Sequence, residues 1–213
     1  MERCRDILTA GLEALSLTLT DAQVEQLLAF IKLLAKWNKA YNLTAIRKLE
    51  DMVSLHLLDS LAILPHIHGQ RVIDIGTGAG LPGIPLAICL PDLQFVLLDS
   101  NAKKTRFVQQ AILELKLNNT RVHHSRVEDY QPELGFDTVT TRAFASLPVI
   151  IDLTRHLLAE NGVVLAMKGQ QLAEELAYIT QTTTLIPIHV PGVEAERYLV
   201  RIQSTKNEER ISG

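Results

Sequence analysis

The sequence offers little for a covalent or metal-stapled scaffold. Among 213 residues the only cysteines are Cys4 and Cys89, and neither has a partner at metal-ligand spacing. Two free thiols in a reducing compartment and no bound metal are therefore expected. No run approaches the roughly 18 apolar residues needed to cross a bilayer. The opening Met1-Glu-Arg-Cys-Arg-Asp6 lacks the apolar core of a signal peptide. A cytoplasmic protein with no membrane partner, expected as a monomer, fits these absences. There is no internal repeat and no low-complexity segment. The formal net charge of −3 rules out a general polycation, although a local basic face is enough to hold nucleic acid. Hydrophobic residues at 47% and charged residues at 21% are ordinary globular values, and this length favours one compact unit.

Two textures follow each other along the chain. Thr20-Asp-Ala-Gln23 reads as a capping box. After it, Val24, Leu27, Leu28, Ile31, Leu34 and Ala35 recur at helical spacing, which predicts an amphipathic helix over 20–38. A second helical run covers about 48–64, with Met52, Leu55 and Leu58 on its apolar side, and stops at Pro65. Residues 1–68 are thus expected to form a helical extension packed on a catalytic domain over 69–204. The polar tail at 205–213 is expected to be disordered. From residue 70, strands at 71–75, 94–98, 121–124, 136–140 and 162–167 alternate with helices at 101–117, 148–159 and 170–180. This order predicts an α/β fold with a parallel sheet covered on both faces. Strands at 184–190 and 197–203, in direct succession, predict one antiparallel member.

The most informative segment is Asp74-Ile-Gly-Thr-Gly-Ala-Gly80, which ends a strand and opens a helix at Leu81-Pro82. In a doubly wound sheet such a turn lies where ligands bind, beyond the carboxyl ends of the strands. Gly76, Gly78 and Gly80 permit a tight turn and close approach of the backbone. A dinucleotide would favour Gly-x-Gly-x-x-Gly. Here the third glycine is one position early, and Leu81 stands in the dinucleotide position. Asp74 suits a cofactor carrying an ammonium group and no phosphate, which S-adenosylmethionine is. Asp99 ends the second strand, 23 positions after Gly76. Its carboxylate can take ribose hydroxyls, and that geometry serves NAD equally. Ser125-Arg-Val-Glu128 follows the third strand, where Val127 could pack on an adenine. Arg142 ends the fourth strand, and a charge there requires a carboxylate, phosphate or ligand partner.

The methyl acceptor is less constrained. The chain has Thr141-Arg-Ala-Phe144 where enzymes acting on exocyclic amino groups carry Asn/Asp-Pro-Pro-Tyr/Phe. Neither cysteine ends a strand, as attack on pyrimidine carbon-5 requires. A ring nitrogen with a free lone pair, such as guanine N7, needs no base, but many small molecules fit the same absences. Lys32, Lys36 and Lys39 lie on one helix face and are followed by Arg47 and Lys48. Lys103, Lys104 and Arg106 follow Asp99, while Lys168 and Arg197 come later. As a group they suit a phosphate backbone, and Trp37 and Tyr41 could stack on bases.

Seven stretches carry a family resemblance: Trp37-Asn-Lys-Ala-Tyr-Asn-Leu-Thr-Ala45, His56-Leu-Leu-Asp-Ser-Leu61, Val72 to Leu86, Leu98-Asp-Ser100 with Lys104, Arg126-Val-Glu128, Thr141-Arg-Ala143 and Met167-Lys-Gly169. Gly80-Leu-Pro-Gly-Ile-Pro85 is the most specific of these. The chain resembles the bacterial 16S rRNA (guanine-N7) methyltransferase G family, also called the glucose-inhibited division protein B family. That resemblance implies a class I S-adenosylmethionine-dependent methyltransferase fold of seven strands, Rossmann-like with one antiparallel strand. It implies methylation of guanine N7 at one position in the decoding-region loop of 16S rRNA, on rRNA or the small ribosomal subunit. It also places Gly76, Leu81, Val127, Glu128 and Arg142 at the S-adenosylmethionine site and Asp99 near the ribose, with Arg142 as the catalytic candidate. Asn42 and His56 match family positions without an assigned role.

Overall fold

The Thr20 capping box forms as the sequence predicts. The Thr20 hydroxyl accepts from the Gln23 N–H, and the Gln23 carboxamide accepts from the Thr20 N–H at 2.9 Å. The helix it opens, α2 (Asp21–Tyr41), runs one turn beyond the expected end. Phe30 and Leu33 join the predicted apolar positions, so the buried stripe is wider than a single seam. Leu27, Phe30, Ile31 and Leu34 are wholly buried. At about 1.5–3 kcal/mol each, they outweigh the roughly 1 kcal/mol of the cap.

The computed structural model describes residues 1–169 and 172–203. The expected disordered tail and the first two residues of the expected 170–180 helix lie outside the described residues. Ahead of α2 stands α1 (Glu2–Ala14). The predicted 48–64 helix is a composite. Helix α3 (Leu49–Met52) passes through a π-helical segment (Val53–Leu58) into α4 (Asp59–Leu61), and a short 3₁₀ turn follows at Leu64–His66.

Seven strands make one sheet: β1 (Arg71–Ile75), β2 (Gln94–Asp99), β3 (Thr120–His124), β4 (Phe136–Arg142), β5 (Leu158–Lys168), β6 (Thr183–Ile188) and β7 (Arg197–Gln203). Their order is β3-β2-β1-β4-β5-β7-β6. The pairs from β3 to β5 are parallel, and β7 runs antiparallel to both β5 and β6. The chain builds outward from β1 to β3 and then returns to β4. The order therefore reverses at β1/β4, where such sheets bind ligands.

Helices α5 (Gly83–Cys89), α6 (Ala102–Glu114), α7 (Leu147–Thr154) and α8 (Leu172–Leu176) complete the fold. Strand β5 begins at Leu158, inside the expected 148–159 helix, because Leu158 pairs with Phe136 ahead of the register irregularity in the β4–β5 ladder. Leu8, Leu27, Ile31 and Leu34 share one apolar cluster with Ile84, Phe107 and Val108, so α1 and α2 pack with α5 and α6. Among the described residues no helix is long and apolar enough to cross a membrane.

Asn38, buried in α2, fixes the loop that follows it. Its carboxamide donates to the Ile46 carbonyl at 3.1 Å and accepts from the Thr44 N–H at 2.9 Å. Asn38→Ala leaves both groups without a partner and is expected to lower unfolding free energy by about 1–3 kcal/mol. Urea denaturation checks this, and an unchanged midpoint would contradict the role given to Asn38.

Candidate active site: two clefts that share Ala143

The turn after β1 is built from the strand outward. Asp74 is wholly buried. Its carboxylate accepts from the Thr77 hydroxyl at 2.6 Å, the Gly83 N–H at 3.0 Å and the Thr140 hydroxyl at 3.2 Å. Burial pushes its pKa up to about 6, against those donors and the positive charge of Arg142. Asp74 thus ties the turn to the start of α5 and to β4, and it does not line the neighbouring cleft.

Gly76 and Gly83 are each required for a different reason. Gly76 has φ +63°, and a Cβ there would run into the Phe144 ring. Gly83 lets the first turn of α5 sit against β1, because its Cβ would fall 2.9 Å from Asp74 Oδ2.

A first cleft of about 360 Å³ opens at the carboxyl ends of β1, β2 and β4. Gly76, Asp99, Val127 and Glu128 line it, as do Ser100, Lys104, Arg126, Phe144 and Leu153. Asp99 Oδ2 accepts from the Gly78 N–H at 2.9 Å, and Oδ1 accepts from the Asn101 N–H at 2.8 Å. Each oxygen keeps a lone pair for a further donor. Lys104 Nζ lies 3.9 Å from Oδ2. Val127 is buried, while Glu128 is exposed at the rim. Gly78, Gly80 and Leu81 do not line this cleft. Gly80 and Leu81 both donate to the Thr77 carbonyl and so close the turn from within. Leu81 is 4% exposed and joins the apolar cluster.

Arg142 does not line the first cleft; it faces a second one of about 530 Å³. Ala143 borders both clefts at φ +49°, a left-handed conformation uncommon for a residue with a Cβ. This turn sends Arg142 to one cleft and Phe144 to the other. Arg142 Nη1 donates to Asp59 Oδ2 at 2.9 Å and to the Leu55 carbonyl at 3.2 Å. Arg197 Nε donates to Asp59 Oδ1 at 3.2 Å. One buried carboxylate therefore holds two arginines, which supplies the partner that the position of Arg142 demands.

His56 lines the same cleft. Its Nδ1 is 3.0 Å from the Leu55 carbonyl, which can only accept, so Nδ1 carries the proton. Nε2 then accepts from the Thr44 hydroxyl at 2.9 Å. Burial, reinforced by Arg142, pushes His56 down to about 4. Both ring nitrogens are engaged, and the imidazole is neutral at physiological pH.

The other expected residues divide. Lys168 donates to the Ala145 carbonyl at 2.6 Å and to Glu175 at 2.9 Å. Lys168 and Arg197 line the second cleft, each also bound to protein partners. Lys103 and Arg106 are exposed on α6 and line neither cleft. Trp37 is half-buried, stacked on Tyr41 at 5.1 Å and tilted against Phe107 at 5.7 Å, so packing occupies its ring. Cys89 is buried and its thiol is pushed up to about 12, which keeps it inert. Asp59 was missed in the sequence; its only signal was its place in His56-Leu-Leu-Asp-Ser-Leu61.

Comparison with known proteins identifies the family. The family model described as rRNA small subunit methyltransferase G matches residues 23–200. The ribosomal RNA small subunit methyltransferase G of Chromobacterium violaceum is 53% identical over 199 residues, covering 92% of this chain and 95% of the relative. That of Legionella pneumophila subsp. pneumophila (strain Philadelphia 1) is 53% identical over 206 residues, covering 97% and 98%. Among solved structures, the DhpI–SAH complex aligns with a TM-score of 0.56 at 13% identity, over 88% of this chain and 100% of that one. The precorrin-6y C5,15-methyltransferase of Geobacter metallireducens aligns with a TM-score of 0.55 at 14% identity, over 68% and 87%. At such identities these two speak for the fold alone. Family-model coverage and relatives this close along nearly the whole chain place it directly: it belongs to the rRNA small subunit methyltransferase G family.

Proposed function

We propose that this chain methylates N7 of one guanine in the decoding-region loop of 16S rRNA, with S-adenosylmethionine as methyl donor. Family membership sets the reaction class. The observation that carries the reading is the pair of clefts meeting at Ala143, since methyl transfer needs two ligands brought together at one boundary.

The first cleft fits the donor. Asp99 retains lone pairs for two ribose hydroxyls. Val127 offers a buried apolar wall for an adenine, and the Gly76 backbone is open to close approach. Bound there, S-adenosylmethionine supplies an electrophilic methyl on a sulfonium. The second cleft is the acceptor side. Leu55 and Met167 give it apolar lining, and Arg142 stands at its edge beside Ala143. Arg142 is held by Asp59 and Leu55 in one orientation, so it can order the purine without moving.

No side chain here is poised as a base. His56 has both nitrogens occupied, and Asp59 is bound to two arginines. Guanine N7 carries a free lone pair and loses no proton when it attacks, which is the acceptor such a cleft can serve. Positioning is then the main catalytic device.

The direct test uses labelled S-adenosylmethionine and 16S rRNA from cells lacking the protein. Label approaching one methyl per rRNA, with strand scission at a single guanine after reduction and aniline treatment, is expected. Label at any position other than guanine N7, or none, would overturn the reading. The absence of a titrating base makes a second prediction: kcat stays flat from about pH 7 to about pH 8, above the Asp74 carboxyl at about 6 and with His56, at about 4, already neutral throughout. A rise in rate centred near the ordinary imidazole pKa and abolished by His56→Gln would contradict it.

A further inference from the structure

The two clefts leave one basic cluster unused. Lys32, Lys36 and Lys39 line a third groove of about 460 Å³, which Arg47 completes from the loop after α2. All four are exposed. Among the described residues, no carboxylate lies within ion-pair distance of any of them. Glu50 and Asp51, next along the chain, do not line the groove.

This arrangement is unfavourable in isolation. Lys32 and Lys36 are a like-charged i, i+4 pair, which costs a helix a few tenths of a kcal/mol. Helix α2 tolerates that cost because its other face is buried. The groove is also rigid where it matters. Arg47 donates to the Asn38 carbonyl at 3.3 Å and to the Asn42 carboxamide oxygen at 3.0 Å, which fixes its guanidinium and leaves N–H groups free. Position supplies the last argument. Ile46 lines the acceptor cleft and Arg47 lines this groove. Consecutive residues are about 3.8 Å apart at Cα, so the groove and the cleft are joined by adjacent backbone at Ile46–Arg47.

We propose that this groove binds the phosphate backbone of the RNA strand whose nucleotide enters the acceptor cleft. The inference rests on the rRNA reading above and adds where the flanking strand is held. Lysine ammonium groups give point-charge contacts without base discrimination. The groove therefore contributes affinity and register, while the cleft selects the base.

The test is the salt dependence of binding. The full chain and the doubly substituted Lys36→Gln, Lys39→Gln chain are titrated with 16S rRNA from cells lacking the protein, at KCl from about 50 to about 200 mM. Both lysines are exposed and glutamine has similar helix propensity, so the fold is retained. The expected result is a plot of log affinity against log salt that is shallower by about 1.4–1.8, from roughly 0.7–0.9 per lost phosphate contact. KM for rRNA is expected to rise about tenfold, with kcat and S-adenosylmethionine affinity unchanged. Arg3→Gln, an exposed cation on α1, should leave the slope as it was. An unchanged slope, or an equal loss in Arg3→Gln, would overturn the proposal. So would an intact rRNA slope alongside lost binding to polyglutamate, which would assign the groove to an acidic polypeptide. The slope is read without methyl transfer, so failure of the functional reading would not obscure it.

Discussion

The carboxylate of Asp59 is the interaction on which the catalytic face depends. It is contributed by the N-terminal helical segment, yet it binds Arg142 at the end of β4 and Arg197 at the start of β7. Three parts of the chain, far apart in sequence, are thereby fixed at one point. Removing one partner of a buried ion pair costs about 3–5 kcal/mol, mostly because the other charge is left uncompensated. The π-helical segment adds to this. It includes Leu55, whose carbonyl accepts from both Arg142 and His56. Such segments occur often at functional sites, and here one aims the Leu55 carbonyl at the guanidinium that Asp59, the residue just after the segment, also binds.

From that point the division of labour follows. Ala143, in its left-handed conformation, separates the cleft lined by Asp99 and Val127 from the one lined by Arg142 and His56. Asp74 lies one layer beneath the clefts and holds the glycine turn against α5 and β4. Charge placement explains how a chain of net charge −3 can serve RNA. Lys168 and Arg197 are committed to protein carboxylates and carbonyls. Among the described residues, Lys32, Lys36, Lys39 and Arg47 make no carboxylate ion pair and share one groove on α2 and the loop after it.

Much of the fold was legible because local signals and tertiary structure agree. The capping box, the apolar stripe of α2 and the alternation of strands with helices each have a short-range cause. Strands β1 to β4 and β7 fall on the short apolar or β-branched segments that the sequence places between turns and helices. The start of β5 was misread because residues 158–161 join the sheet through a register irregularity, which no periodicity announces. The π-helical segment was equally hidden, since its apolar spacing imitates an ordinary helix. At the site, residues facing the first cleft were readable from strand ends: Gly76, Asp99 and Val127. That Asp74 and Leu81 are buried beside the first cleft was not readable, because position along a strand or turn does not say which way a side chain points. The demand of Arg142 for a partner was evident, but Asp59, 83 residues away, could be found only in three dimensions.

The central claim is that Asp59 acts through the arginines it holds, on the acceptor side and apart from the cofactor cleft. The most direct measurement is steady-state kinetics of Asp59→Asn beside calorimetric binding of S-adenosylmethionine. A kcat at least tenfold lower, equivalent to about 1.4 kcal/mol in the barrier, is expected, with S-adenosylmethionine affinity within about twofold of the unsubstituted chain. An unchanged kcat, or a loss explained wholly by weaker binding of S-adenosylmethionine, would contradict it.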